Sequence, residues 1–159
     1  MKLTSYSNFT LRVLMVAAAR RPALTTIGEI AGAFDISRAH LTRCVHQLGQ
    51  WGFIETFRGN KGGFRLARAP GDISVGEVVR RTEEGFDLVE CFQPETATCP
   101  LLTRCKLRPA FLRATEIFLG TLDGVTLADL TANGDDLLDA LALQPPVAAN
   151  CGAAALALS

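Results

Sequence analysis

Thr26-Ile-Gly-Glu-Ile-Ala-Gly-Ala-Phe34-Asp-Ile-Ser37-Arg-Ala-His40-Leu-Thr-Arg-Cys44-Val-His-Gln-Leu48 is the stretch that decides the fold. Thr26 and Glu29 have the spacing of a capping box, so a short helix opens here and buries Ile27, Ile30, Ala31 and Phe34. Asp35-Ile36 makes a turn, and Ser37 is a good N-cap for a second helix. In that helix Leu41, Val45 and Leu48 fall on one face at i, i+4 and i+7, with Cys44 beside them as an ordinary small core residue. Arg38, His40, Thr42, Arg43, His46 and Gln47 fall mostly on the other faces. Two short helices, a tight turn and a hydrogen-bonding outer face make the helix-turn-helix pattern, whose second helix enters a major groove with its N-terminal half nearest the base edges.

The flanks extend that unit. Phe9 to Ala19 places apolar residues at 9, 13, 16 and 17 with Arg12 on another face, which reads as a preceding helix. After Gly49-Gln-Trp-Gly52 the chain reads as a strand over Phe53–Phe57, a turn over Arg58-Gly-Asn-Lys-Gly-Gly63, and a returning strand over Phe64–Ala67. This hairpin is the wing of a winged helix, and Arg58, Asn60, Lys61 and Arg65 suit it to phosphates or a minor groove. The turn is not a nucleotide-binding loop, because it lacks GxxxxGK followed by Ser or Thr and does not join a strand to a helix. The expected class is mainly α with a small β-hairpin wing, the DNA-binding domain spanning residues 1–82. The candidates for DNA contact are Thr26, Ser37, Arg38, His40, Leu41, Thr42, Arg43, His46, Arg58, Asn60, Lys61 and Arg65.

The net charge of zero hides two opposed halves. Residues 1–81 carry 12 Lys and Arg against 5 Asp and Glu, a balance of +7, and residues 82–159 carry 4 against 11, a balance of −7. A basic front half is the electrostatic footprint of phosphate contact, and the acidic rear half faces solvent or a partner. With 48% apolar residues the chain is globular. The first residues carry no apolar run like a signal peptide, and no segment is long enough for a membrane span, so a cytoplasmic location is expected. No nucleophile–base pair, zincin motif or dinucleotide fingerprint occurs, which argues against an enzyme.

Past Pro70-Gly71, Ser74-Val-Gly-Glu77 opens a short helix burying Val75, Val78 and Val79. Residues 83–105 read as a loop that holds Cys91, Cys99 and Cys105. Beyond it Leu107, Phe111, Ala114 and Phe118, with Leu122 close by, form one apolar stripe on a helix of about four turns. Such a helix, outside the reading head, is the expected seam of a two-fold homodimer. Thr126-Leu-Ala-Asp129 starts a final small helix within residues 106–143, and residues 144–159, with Cys151, form an alanine-rich tail without functional signal.

The three clustered cysteines allow three readings. A structural zinc site brings ligands in close pairs and four in all, which gaps of seven and five residues with no fourth Cys or His nearby fit poorly. A thiol–disulfide switch needs only two. An iron–sulfur cluster fits best, because its wider corners accept loose spacing and a weak fourth ligand.

These pieces together resemble a bacterial family of winged-helix regulators that carry an iron–sulfur cluster, and within it the nitric-oxide-sensing repressors. The resemblance lies in Leu3-Thr-Ser-Tyr6, Leu11-Arg12, Ser37-Arg38-x-His40-Leu41, Arg58-Gly-x-x-Gly62-Gly63-x-x-Leu66, Gly76-Glu-Val-Val-Arg80, the three cysteines and Thr126-Leu-Ala-Asp-Leu130, over roughly residues 1–140. It implies a homodimer on a palindromic duplex, with one cluster per subunit held by Cys91, Cys99 and Cys105, 4Fe–4S being favoured over 2Fe–2S. It also implies that nitric oxide is the effector and that operator affinity falls when the cluster is nitrosylated or lost. Some members take a fourth ligand from the other protomer, an Asp at the place of Asn8 of the partner subunit; the amide oxygen found here is neutral and a weaker ligand for iron. A sister branch that regulates cluster assembly has a His three residues after its last cysteine, where this chain has Arg108. Two alternatives remain: a regulator of the same family sensing iron, redox state or cluster supply, and a winged-helix protein-interaction module with a structural metal.

Overall fold

The computed structural model describes residues 2–59, 61–93, 95 and 97–144. Asn60, the alanine-rich tail from residue 145 and its Cys151 lie outside the described residues. The first helix, α1 (Ser5–Ala19), starts a full turn earlier than its apolar repeat suggests. The hydroxyl of Thr4 accepts from the Ser7 amide and caps it, so Ser5–Asn8 are helical without contributing a core stripe.

α1 is the central post. Val13, Leu14, Val16 and Ala17 are fully buried, and the rest of the core packs around them. α2 (Ile27–Phe34) carries the complete Thr26–Glu29 capping box. Asp35 closes it in the left-handed conformation, φ 52°, which Asp tolerates better than most residues. α3 (Arg38–Gln50) begins at Ser37, whose hydroxyl accepts from the His40 amide. Its Leu41, Cys44, Val45 and Leu48 are buried against α1 and α2, which fixes the roll of the helix and turns the other faces outward.

β1 (Ile54–Phe57) and β2 (Gly63–Leu66) pair antiparallel, with Ile54 opposite Leu66 and Phe57 opposite Gly63. The sequence hides a further rung. Thr25 and Phe64 exchange backbone hydrogen bonds of 2.9 and 2.8 Å, which staple the wing to the residue just before the Thr26 cap. A Cβ on Gly63 would stand 2.7 Å from the Thr25 carbonyl oxygen, so this approach requires glycine.

α4 (Val75–Thr82) opens at Ser74 as expected, but Ser74 and Glu77, which have the spacing of a capping box, form only half of one. Ser74 accepts from the Glu77 amide, while the Glu77 carboxylate turns to Arg68 at 3.0 Å. Ser74 also pairs with Thr126 in an isolated bridge, Val75 N donating to the Val125 carbonyl at 2.8 Å and Leu127 N to that of Ile73 at 2.9 Å. That bridge brings the C-terminal part of the chain back. α5 (Leu107–Asp123) packs on α4, while α6 (Leu127–Leu130) and a further helix, α7 (Gly134–Ala140), pack on α1. Leu127 and Leu138 are fully buried, so these last helices share a core with the reading head instead of standing apart from it.

The stripe expected along α5 divides in two. Phe111, Phe118 and Leu122 are half-buried, with Thr115 buried among them, whereas Leu107 and Ala114 are exposed with Ile117. Leu107 and Ile117 are 60% and 59% exposed, so the outward face keeps an apolar band of its own.

Candidate nucleic-acid interface and thiol segment

α3 presents Arg38, His40, Thr42, Arg43 and His46 to solvent. Leu41 is the exception among the candidates for DNA contact. It is 0% exposed, because its place on the i, i+4, i+7 face commits it to the core. Two of the outward residues are braced. The Arg43 guanidinium lies 5.4 Å from the centroid of the Tyr6 ring of α1, within the range of a cation–π contact. His40 Nδ1 is 3.0 Å from the Ser37 hydroxyl, and its ring lies 6.0 Å from that of Phe9. Ser37 is exposed but occupied by its cap, and Thr26 is half-buried with hydroxyl and amide both engaged by Glu29.

On the wing Arg58 and Lys61 are exposed at the tip. Arg65 differs: it pairs with Glu55 across the hairpin at 3.1 Å and lies 4.9 Å over the Phe57 ring, so part of its charge is neutralised before any duplex arrives. Asn60 lies outside the described residues.

Cys91, Cys99 and Cys105 are all half-buried and free. Cys91 lies in a 3-10 turn over Glu90–Phe92, and Cys105 stands two residues before α5. Among the described residues no three Cys, His, Asp or Glu side chains gather closely enough to hold a metal ion. The donor chemistry nonetheless fits an iron–sulfur cluster: three free cysteines on one segment, with no helix or strand between Cys99 and Cys105 to hold them apart. Asn8 is exposed on α1 and lines an apolar groove of about 410 Å³ with Leu11, Met15, Phe34 and Leu141.

Two links to this segment have no local sequence signature. The Arg108 Nε in the first turn of α5 donates to the Cys91 carbonyl at 2.8 Å. At the other end, Glu83 follows α4 and receives the Thr4 amide at 2.8 Å, the Thr4 hydroxyl at 2.9 Å and the Ser7 hydroxyl. Ser7 is also 2.7 Å from Thr82, which ties the start of α1 to the end of α4. Burial alone would raise the Glu83 carboxyl, but donation from Ser7 and Thr4 outweighs it and holds the group below its ordinary value. Partners 76 to 79 residues apart are invisible to any windowed reading.

The family model described as Rrf2, iron-dependent transcriptional regulator, matches residues 3–133. The chain belongs to the Rrf2 family. Among its relatives in that family, the HTH-type transcriptional regulator NsrR of Bacillus subtilis (strain 168) is 43% identical over 145 residues, covering 91% of this chain and 99% of that protein. The NsrR of Geobacillus kaustophilus (strain HTA426) is 49% identical over 131 residues, 82% of this chain and 89% of its own. The solved structure of CymR, the global cysteine regulator of B. subtilis, superposes with a TM-score of 0.67 at 23% identity, over 84% of this chain and 98% of that one. T. potens IscR gives 0.67 at 21% identity, over 86% and 90%. These two establish the fold, a winged helix of the Rrf2 kind. The Rrf2 relatives are named as regulators of transcription, which agrees with the expectation of a regulator and not an enzyme.

Proposed function

We propose that this protein is a cytoplasmic, homodimeric transcriptional repressor whose grip on a palindromic operator depends on the state of the Cys91–Cys105 segment, and that nitric oxide is its effector. The observation that carries the reading is the two-sided character of α3. Leu41, Cys44, Val45 and Leu48 anchor it, while Arg38, Thr42, Arg43 and His46 are left exposed beside the cationic wing tip of Arg58 and Lys61. A helix held so firmly on one side presents its other side at a fixed angle, as groove reading requires. In this reading the candidate contacts sort by chemistry. Arg58 and Lys61 take phosphates, Ser37 and Thr26 guide backbone amides toward the phosphate chain, and Arg38, His40, Thr42, Arg43 and His46 face base edges.

Cys91, Cys99 and Cys105 would hold an iron–sulfur cluster, 4Fe–4S in preference to 2Fe–2S, with Asn8 of the partner subunit beside it. When bound, the cluster supplies iron that reacts with nitric oxide. The residues of the chain do the rest. The thiol segment leaves α4 at Glu83, which grips the N-terminus of α1, and Tyr6 of α1 supports Arg43 on α3. Rearranging the thiol segment therefore pulls on the helix that orients the reading surface. α5 would pair the two protomers, setting the two α3 helices about one DNA turn apart, ~34 Å.

Cys99→Ala separates this reading from others. It should leave a folded, colourless dimer with weak operator binding, and wild-type protein prepared without oxygen should lose its operator when nitric oxide is added. Loss of binding on iron depletion without any response to nitric oxide would move the reading to an iron-supply regulator, in keeping with the family's iron-dependent description. Cys99→Ala protein that binds as tightly as wild type would refute a role for the segment.

A further inference from the structure

The geometry points to Arg108 as a positioning residue that sets the first cysteine against the third. The inference rests on the reading of the Cys91–Cys105 segment as a metal-binding one. Cys91 and Cys105 are the ends of a long excursion, and closing such a loop costs chain entropy unless something else holds its ends. Arg108 does so. It is three residues beyond Cys105, in the first turn of the 17-residue helix α5, and its Nε donates to the Cys91 carbonyl at 2.8 Å. The bond is charge-assisted and part-buried, the setting in which such a bond is strongest.

The acceptor is itself held. The 3-10 turn around Cys91 is closed by Phe92 N donating to the Val89 carbonyl at 3.0 Å and Gln93 N to that of Glu90 at 3.1 Å, and this turn touches α5. Cys91 is thus pinned to the helix that Cys105 leads into. Cys99 stands between them, and the backbone bonds among the described residues around it are short-range turns, Leu102 N donating to its carbonyl at 3.2 Å. Two ligands are prearranged by Arg108 and the third closes on them. A lysine would keep the charge with a single donor on a flexible stem, so it restores only part of the effect.

The test uses the iron-loaded dimer, prepared without oxygen and challenged with EDTA, and follows the decay of absorbance near 400 nm. Arg108→Gln should lose iron roughly tenfold faster than wild type, the equivalent of about 1.4 kcal/mol. Arg108→Lys should fall between the two, and Arg113→Gln, an exposed arginine on the same helix, should behave as wild type. Equal rates for Arg108→Gln and wild type, with matching thermal midpoints, would overturn the assignment.

Cadmium(II) titration of the metal-free protein, read by its thiolate ultraviolet band, asks the same question without iron. Arg108→Gln should weaken cadmium binding in wild type and add nothing in a Cys91→Ser background. An equal loss in both backgrounds would show that Arg108 does not act through Cys91. Wild-type protein that never takes up iron would defeat the cluster reading, and the cadmium result would still decide the role of Arg108.

Discussion

Gly76→Ala is the most exacting perturbation that the structure offers. Gly76 lies in α4, where α5 ends against it. A Cβ there would stand 2.8 Å from the Asp123 backbone nitrogen and 2.9 Å from the Arg80 Nη1, and would also strike the Asp123 carboxylate. The carboxylate can swing away, although doing so breaks the paired bonds between Arg80 and Asp123, one of them 2.7 Å. The backbone nitrogen cannot move without shifting the end of α5. Overpacking of this kind costs about 1–3 kcal/mol, against a gain of roughly 0.5–1 kcal/mol from replacing glycine by alanine inside a helix. The net expectation is a loss of up to about 2.5 kcal/mol, or a thermal midpoint lower by up to roughly 10 °C for a chain of this size. Gly32→Ala in α2 is the control, since a Cβ there meets nothing within 4 Å and should stabilise slightly. Urea and thermal unfolding of both variants, with wild type, give the comparison. A Gly76→Ala protein as stable as Gly32→Ala would refute the close approach of α4 and α5 on which the seating of the thiol segment depends.

Other expectations rest on the same packing. Arg58→Ala and Lys61→Ala should weaken duplex binding uniformly across sequences, each lowering the slope of log affinity against log salt by about 0.9 for every phosphate no longer neutralised, measured by fluorescence anisotropy. Leu41→Ala should cost about 2–5 kcal/mol in urea unfolding, as removal of a fully buried leucine does, whereas His46→Ala should leave stability within about 0.5 kcal/mol and lower duplex affinity. Glu83 has its carboxyl held below the ordinary value, so its contribution is present above the unfolded value and is lost as pH falls through the folded one. Acid below about pH 4 should therefore loosen the start of α1, seen as faster amide exchange at Thr4 and Ser7, and Glu83→Gln should show that looseness at neutral pH.

What was legible in the sequence had local causes. The Thr26–Glu29 box, the Ser37 cap and the spacing of Leu41, Val45 and Leu48 each act within one or two turns, and each forms as its spacing implies. The wing was readable because its turn is short and rich in glycine, and its strands follow directly. Leu41 shows the limit of a motif taken whole: its own periodicity places it in the core, and only its neighbours face outward. The start of α1 was hidden because Ser5–Asn8 owe their helix to Thr4 and to Glu83, 79 residues away from that threonine. The Thr25–Phe64 rung, the Ser74–Thr126 bridge and the Arg108–Cys91 bond were hidden for the same reason. The stripe on α5 reads as one face because residues 107, 111, 114 and 118 share a repeat. The structure splits it: Phe111, Phe118 and Leu122 are half-buried, while Leu107 and Ile117 stay exposed.

The dependence of operator grip on iron at the three cysteines is tested most directly by one pair of dissociation constants. The duplex is one selected from a random pool by the iron-loaded protein, and the same preparation is measured before and after anaerobic stripping of its iron. Binding at least tenfold weaker after stripping, about 1.4 kcal/mol or more, is the predicted result. Equal binding, or tighter binding by the stripped protein, would contradict that dependence.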